Sequence, residues 1–383
     1  MTDGRYSPRP AGRVPGIAGS VTLFGVPVRF HFTFWLVVIW MIFLVSGGKQ
    51  SVAGAAVFIA GLFLSILLHE AGHAWMARRY GIGTQEIVML PIGGLARLER
   101  QPRAGEEFWV AFAGPLVNFL LGLALLGAAY LGGGRLSVGD WREAADTNIV
   151  SRLALANLVL ALFNLLPAFP MDGGRVLRSL LAERRSYEDA TRITARIGTL
   201  IAALLALLGL LQGNFLMLFI ALFIYVGAMQ ESMAATAQAL MQGAQVRDAM
   251  VTDFRTLSHG DTIRDAAELL LATSQQDFPV LAGPRVTGLL SRNHLLRALA
   301  AEGPDGYVAS AMDRDFPRLT PDMDLAEAAA SLGSGVNCAL VFEDERLVGM
   351  LTAENLSEYL VLKKLREARG GTREMMLRMI RSQ

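Results

Sequence analysis

Between residues 30 and 233 the chain is dominated by six runs in which apolar side chains follow one another almost without charge: 30–45, 52–76, 108–131, 149–166, 193–211 and 215–233. A helix rises about 1.5 Å per residue, so roughly 20 apolar residues cross the ~30 Å hydrocarbon core of a bilayer. The runs therefore predict six membrane spans, the first of them slightly short. Arg5, Arg9, Arg13 and Arg29 precede the first run, Arg78 and Arg79 end the second, and Arg175, Arg178, Arg184 and Arg185 follow the fourth. Basic loops stay on the cytoplasmic side. Residues 1–29 thus read as a retained cytoplasmic tail, the loop 132–146 as external, and His31 as an interfacial side chain.

Two stretches interrupt this pattern. Residues 81–105 are less apolar, and β-prone Glu86-Ile87-Val88-Met89-Leu90 leads into Pro91-Ile92-Gly93-Gly94. A short membrane-associated strand and turn on the cytoplasmic side is expected there. The fourth run breaks into Asn164-Leu-Leu-Pro167-Ala-Phe-Pro170-Met-Asp172-Gly-Gly. Two prolines and two glycines cannot continue a helix, so Asp172 is expected on irregular backbone near membrane depth, where protein or a cavity must surround it. Ala113-Gly114-Pro115 and Asn118 open the third run with small and polar residues that permit close helix approach. For Asn118, helix packing and a part in the chemistry are both open readings.

From about residue 246 the character changes to a mixed α/β pattern that repeats. Arg247-Asp248-Ala249-Met250 parallels Ala309-Ser310-Ala311-Met312, and Val286-Thr287-Gly288-Leu289-Leu290-Ser291 parallels Leu347-Val348-Gly349-Met350-Leu351-Thr352. Each copy, 246–300 and 308–362, reads as an entry segment, a helix, two strands and a closing helix. Residues 363–383 read as a charged tail.

Composition narrows the class. A hydrophobic share of 53% with mean hydropathy +0.40 is too apolar for an ordinary soluble protein. The fold class expected is a polytopic α-helical membrane protein, with about six transmembrane helices over 30–240 and a short β element, plus a cytoplasmic α/β repeat pair. No basic tract with interleaved aromatics points to nucleic acid. The one cysteine, Cys338, excludes an intrachain disulfide framework and a Cys-rich metal cluster, so any metal must use His and carboxylate ligands.

Candidate chemistry centres on Leu67-Leu68-His69-Glu70-Ala71-Gly72-His73, an H-E-x-x-H motif inside the second run. Four residues apart on a helix, His69 and His73 share one face and can address a single Zn²⁺, with Glu70 beside them as general base. Ionisable groups at membrane depth are functional by default. The topology puts Asp172 on the same side of the membrane, so it can supply the third ligand, leaving one position for a water whose pKa the metal lowers to about 7. Asn164 is a candidate donor to the developing oxyanion. A bundle held by interhelical polar contacts is the alternative, and three ionisable groups in five residues weigh against it.

These residues resemble the site-2 protease family of intramembrane zinc metalloproteases. The likeness covers His-Glu-Ala-Gly-His, Pro-Ile-Gly-Gly, Ala-Gly-Pro-Leu-Val-Asn and Asn-Leu-Leu-Pro-Ala-Phe-Pro-Met-Asp-Gly-Gly-Arg, and extends to the fused repeat of a bacterial and archaeal branch. It implies one zinc per chain on His69, His73 and Asp172, Glu70 as base and Asn164 assisting. It also implies a transmembrane protein substrate, unwound and paired as an extended strand near Gly93 and Gly94, and regulated proteolysis of a membrane-anchored regulator or a signal-peptide remnant in a prokaryotic inner membrane, among its lipids. The active site and the repeat pair would face the cytoplasm.

The repeat resembles a pair of cystathionine-β-synthase (CBS) domains, which implies a regulatory role and an adenine nucleotide as candidate ligand at Ser291 and Thr352. In that pattern an acid grips the ribose three residues later, where this chain has His294 and Asn355. Dimerisation or partner docking through the pair is therefore the competing reading, and His259 and His294 read as surface or packing residues. The competing reading for the whole chain is a CBS-gated transporter or channel, whose polar residues would line an ion path.

Overall fold

The structure is a computed structural model, and it describes residues 17–23, 25–46, 52–90, 93–131, 149–332 and 336–366. The chain falls into two compact units that divide between Ala235 and Thr236. The expected external loop 132–146 lies outside the described residues, as do Pro91, Ile92 and most of the charged tail.

The first unit contains β1 (Ile17–Leu23), β2 (Val26–His31), α1 (Phe32–Ser46), α2 (Val52–Arg79), β3 (Thr84–Leu90), β4 (Gly93–Leu98), α3 (Ala104–Leu131), α4 (Ile149–Asn164), α5 (Asp172–Ala182), α6 (Tyr187–Gln212) and most of α7 (Phe215–Met241). Helices α2, α3, α6 and α7 have 28, 28, 26 and 27 residues and are long and apolar enough to cross a membrane. The other two apolar runs form the shorter α1 and α4, of 15 and 16 residues. Leu200, Leu204, Leu207 and Leu211 stand exposed on α6 at helical spacing, an outward stripe suited to lipid rather than water.

Residues 17–23 and 26–29, read from the sequence as part of a tail, lie in two strands. The sheet order is β1-β2-β3-β4: β1 and β2 make an antiparallel pair, β2 runs parallel to β3 (Val28 beside Ile87), and β3 pairs antiparallel with β4 (Met89 beside Gly94). A short segment gains strand structure from its partners more than from its own propensity, and here β3 lies far along the chain. The inner face of the sheet, with Val28, Ile87 and Met89, packs on Phe63, Ile66 and Leu67 of α2, one turn before the histidines. Among the described residues β1 and β4 are the two edges.

The break after α4 spans residues 165–171 and includes a cis Phe169–Pro170 bond. Asp172 differs from the expectation: it is the first residue of α5, not part of the irregular backbone. A carboxylate is favoured there by the helix dipole. Gly173 and Gly174 let this first turn tuck under the break, since a Cβ on either would strike the main chain of residues 165–169.

The second unit holds α8 (Val246–Ala249), β5 (Leu257–Ser258), α9 (Ile263–Ala272), β6 (Asp277–Ala282), β7 (Arg285–Ser291) and α10 (Arg292–Ala301), then α11 (Val308–Ala311), β8 (Arg318–Leu319), α12 (Leu325–Ser331), β9 (Cys338–Glu343) and β10 (Arg346–Thr352), with a helix over 353–366. The strands form two three-stranded sheets, β5-β6-β7 and β10-β9-β8. The copies exchange their entry segments. Val246 and Ala249 of α8 are buried among Leu325, Ala328, Val341 and Leu351 of the second copy, whereas Val308 and Met312 complete the core around Ile263, Phe278 and Leu290 of the first. Val251 bridges to Met350, and Asp313 to Leu289.

Candidate functional site

Helix α2 places His69 and His73 one turn apart, and the start of α5 brings Asp172 to them across 103 positions of sequence. His69 Nε2 lies 3.0 Å from His73 Nε2, and Asp172 Oδ2 lies 3.1 Å from the first and 3.2 Å from the second. Three ligand atoms of a tetrahedral zinc site, each about 2.0–2.1 Å from the ion, stand roughly 3.3 Å apart. The observed triangle has that scale.

The outer ring nitrogens decide the tautomers. His73 Nδ1 donates to the Val110 carbonyl at 2.6 Å, and His69 Nδ1 donates to Asn118 Oδ1 at 2.5 Å. With both Nδ1 atoms protonated, each neutral ring offers an Nε2 lone pair, and two lone pairs at 3.0 Å repel unless a cation lies with them. The donor set therefore fits zinc: two imidazoles and one carboxylate, each imidazole oriented by an acceptor. Among the described residues this is the one group of His, Cys, Asp or Glu side chains close enough to hold a metal ion.

Helix α3 passes directly in front of the ligands. A Cβ at Gly114 would collide with His73 Nε2 and Cε1 and with His69 Nε2, so only glycine leaves the ligand atoms free there. A Cβ at Gly94 of β4 would collide with the Glu70 side chain. A cavity of about 650 Å³ joins these parts: its walls include His69, Glu70, His73, Gly94, Asn164 and Asp172.

Peptidase family M50 matches residues 57–137 and 130–208, and the CBS domain matches 246–301 and 308–362. Zinc metalloprotease MJ0392 of Methanocaldococcus jannaschii is 30% identical over 91% of this chain and 98% of its own length. The chain belongs to peptidase family M50. It is a site-2-type zinc metalloprotease with a CBS pair, and a multi-pass membrane protein. Stage IV sporulation protein FB of Bacillus subtilis is 28% identical over 38% of this chain and 47% of that one. Among solved structures, the site-2 protease from Methanocaldococcus jannaschii is 37% identical over 56% of this chain and 95% of that one, with a TM-score of 0.43. Membership in M50 displaces the transporter reading.

In this M50 protease the other residues singled out from the sequence fall as follows. Asn164 ends α4 at the cavity wall. Gly93 and Gly94 open β4, opposite Leu90 and Met89, so they belong to a strand and not to a turn alone. Ser291 and Thr352 stand 61 positions apart by number yet line one cleft of about 750 Å³ in the second unit, together with Asn355. Both hydroxyls cap a helix: Ser291 Oγ accepts from the His294 N–H at 3.3 Å and Thr352 Oγ1 from the Asn355 N–H at 3.1 Å.

Sequence reasoning missed two groups. Arg178 reads as one of several cytoplasmic charges, yet it is 5% exposed. It is paired with the buried Glu107 and, at 2.9 Å, with Glu231, while Phe169 and Tyr187 present their ring faces to it. Asn157 and Ser65 likewise read as ordinary members of apolar runs. A second amide seven residues before Asn164 in run 149–166 and a lone hydroxyl in run 52–76 are the available signals.

Proposed function

We propose that this protease hydrolyses peptide bonds within the transmembrane segment of a membrane-anchored regulator or signal-peptide remnant, with His69, His73 and Asp172 holding zinc. The convergence of those three ligand atoms within 4.8 Å of one another carries this reading. A zinc ion held there supplies Lewis acidity that brings the pKa of its water to about 7. Glu70, facing the same cavity, takes the proton of the attacking water and passes it to the leaving amine. The Asn164 amide donates toward the oxygen that gains charge.

A helical substrate hides its carbonyls in hydrogen bonds and must unwind before attack. Strand β4 supports that step, because among the described residues it pairs with β3 alone and leaves an edge beside Glu70. An extended segment added at Gly93 and Gly94 satisfies its freed backbone groups and brings its carbonyl into the cavity. The basic ends of the spans, Arg78, Arg79, Arg175 and Arg184, support a cytoplasm-facing site. The CBS pair is read as regulatory. Its cleft takes an adenine nucleotide at Ser291 and Thr352, while assembly of two chains through the pair is the competing use.

Purified full-length protein with a fluorescent transmembrane substrate tests the reading. Glu70→Gln should lower the cleavage rate about 10²- to 10⁴-fold while zinc stays bound, and chelation should abolish cleavage. Wild-type rates in Glu70→Gln would refute the mechanism. For the cleft, ATP or AMP should bind and alter the rate, and the absence of both effects removes the nucleotide role.

A further inference from the structure

Behind His69 a file of buried polar side chains crosses three helices of an otherwise apolar bundle. Asn118 on α3 and Asn157 on α4 are fully buried, and Ser65 on α2 is 4% exposed. Asn118 Nδ2 donates to Asn157 Oδ1 at 2.8 Å. Asn157 Nδ2 donates to Ser65 Oγ at 2.9 Å and to the Leu153 carbonyl at 2.8 Å. Ser65 Oγ donates to the Gly61 carbonyl at 2.9 Å.

The file has a direction, and main-chain carbonyls set it. A carbonyl only accepts, so Leu153 and Gly61 demand the Asn157 amide hydrogens and the Ser65 proton. Turning the Asn157 amide over would set its oxygen against the Leu153 oxygen at about 2.8 Å. Asn157 must therefore offer Oδ1 to Asn118, which must offer Nδ2 in return and leave its own Oδ1 for His69. That oxygen can only accept, so His69 carries its proton on Nδ1 and keeps the Nε2 lone pair for the metal side. His73 reaches the same state through a main-chain carbonyl directly.

We infer that Asn157, anchored by Ser65 and the Leu153 carbonyl, is a positioning residue that sets the tautomer of His69 through Asn118 and thereby its affinity for zinc. The inference rests on the metal role proposed for His69. Interhelical hydrogen bonds can also serve only to hold helices together, and the two roles differ in what they predict.

The test is the zinc dissociation constant of the detergent-solubilised full chain, measured by chelator competition for wild type, Asn118→Leu, Asn157→Leu and the double variant. Asn157→Leu should bind zinc about 10- to 100-fold more weakly than wild type, and the double variant no more weakly than Asn118→Leu, because both act on one contact. Unchanged affinity in Asn157→Leu, or losses that multiply in the double variant, overturn the inference. If wild type itself binds no zinc, the metal reading fails instead. Should Asn157→Leu not fold, the nitrogen-15 histidine spectrum of metal-free wild type decides, because there no metal fixes the tautomer. A proton on His69 Nδ1 supports the relay, and a proton on Nε2 refutes it.

Discussion

Gly94 on the edge strand lies so close to Glu70 on α2 that a Cβ at position 94 would overlap the glutamate side chain. Strand and proposed general base are thus fitted to each other, and a side chain on the strand has to push the carboxylate aside. Gly94→Val should lower the cleavage rate about 100-fold, the scale of a 1 Å misplacement of a reacting group. Zinc content should be unchanged, because the three atoms nearest a Cβ at position 94 all belong to Glu70, which is not among the proposed ligands. A normal rate in a fluorescent-substrate assay would show that β4 does not constrain Glu70.

Gly114 has the corresponding relation to the two proposed histidine ligands. A methyl there occupies the space in front of both Nε2 atoms, so Gly114→Ala should weaken zinc binding at least about tenfold. Metal analysis after dialysis against a weak chelator reads this directly, with Gly127→Ala, whose Cβ meets nothing within 4 Å, as the control.

The buried Arg178 depends on its acidic partners. Removing one member of a buried pair leaves an uncompensated charge and costs about 3–5 kcal/mol. Glu107→Ala should therefore destabilise the membrane unit on that scale, while Glu107→Gln, which keeps a hydrogen-bond acceptor, should cost less. Denaturant unfolding in detergent, followed through tryptophan fluorescence, separates the two.

In the second unit Asp277 is 8% exposed, and burial pushes its carboxyl pKa up. A buried acid with a raised pKa holds its proton more tightly folded than unfolded. Stability is thus greatest below the unfolded value of about 3.9 and falls as pH rises through the raised folded value. Asp277→Asn should raise the melting temperature of the CBS pair at pH 8, with the gain shrinking as pH is lowered toward about 4. A gain of equal size at both ends of that range would assign the effect to something other than the charge.

What the sequence alone determined is whatever one stretch of chain settles locally. Six apolar runs announce helices because a backbone out of water must satisfy its hydrogen bonds within the run, so the pattern needs no distant partner to be read. The same locality put His69, Glu70 and His73 on one helical face, and made the break at Pro167 and Pro170 visible. Only the tertiary structure decided what meets across long separations. It turned residues 17–23 and 26–29 from a tail into strands, β2 through pairing with β3 and β1 through pairing with β2, and made Asp172 the first residue of a helix aimed at the two imidazoles. It buried Arg178 against Glu107 and Glu231, and gave each CBS copy the other's entry helix. A polar side chain on an apolar run reads alike whether it joins helices, orients a ligand or faces a lipid headgroup. For Asn118 and Asn157 the difference lies in which hydrogen-bond partners the fold places within about 3 Å.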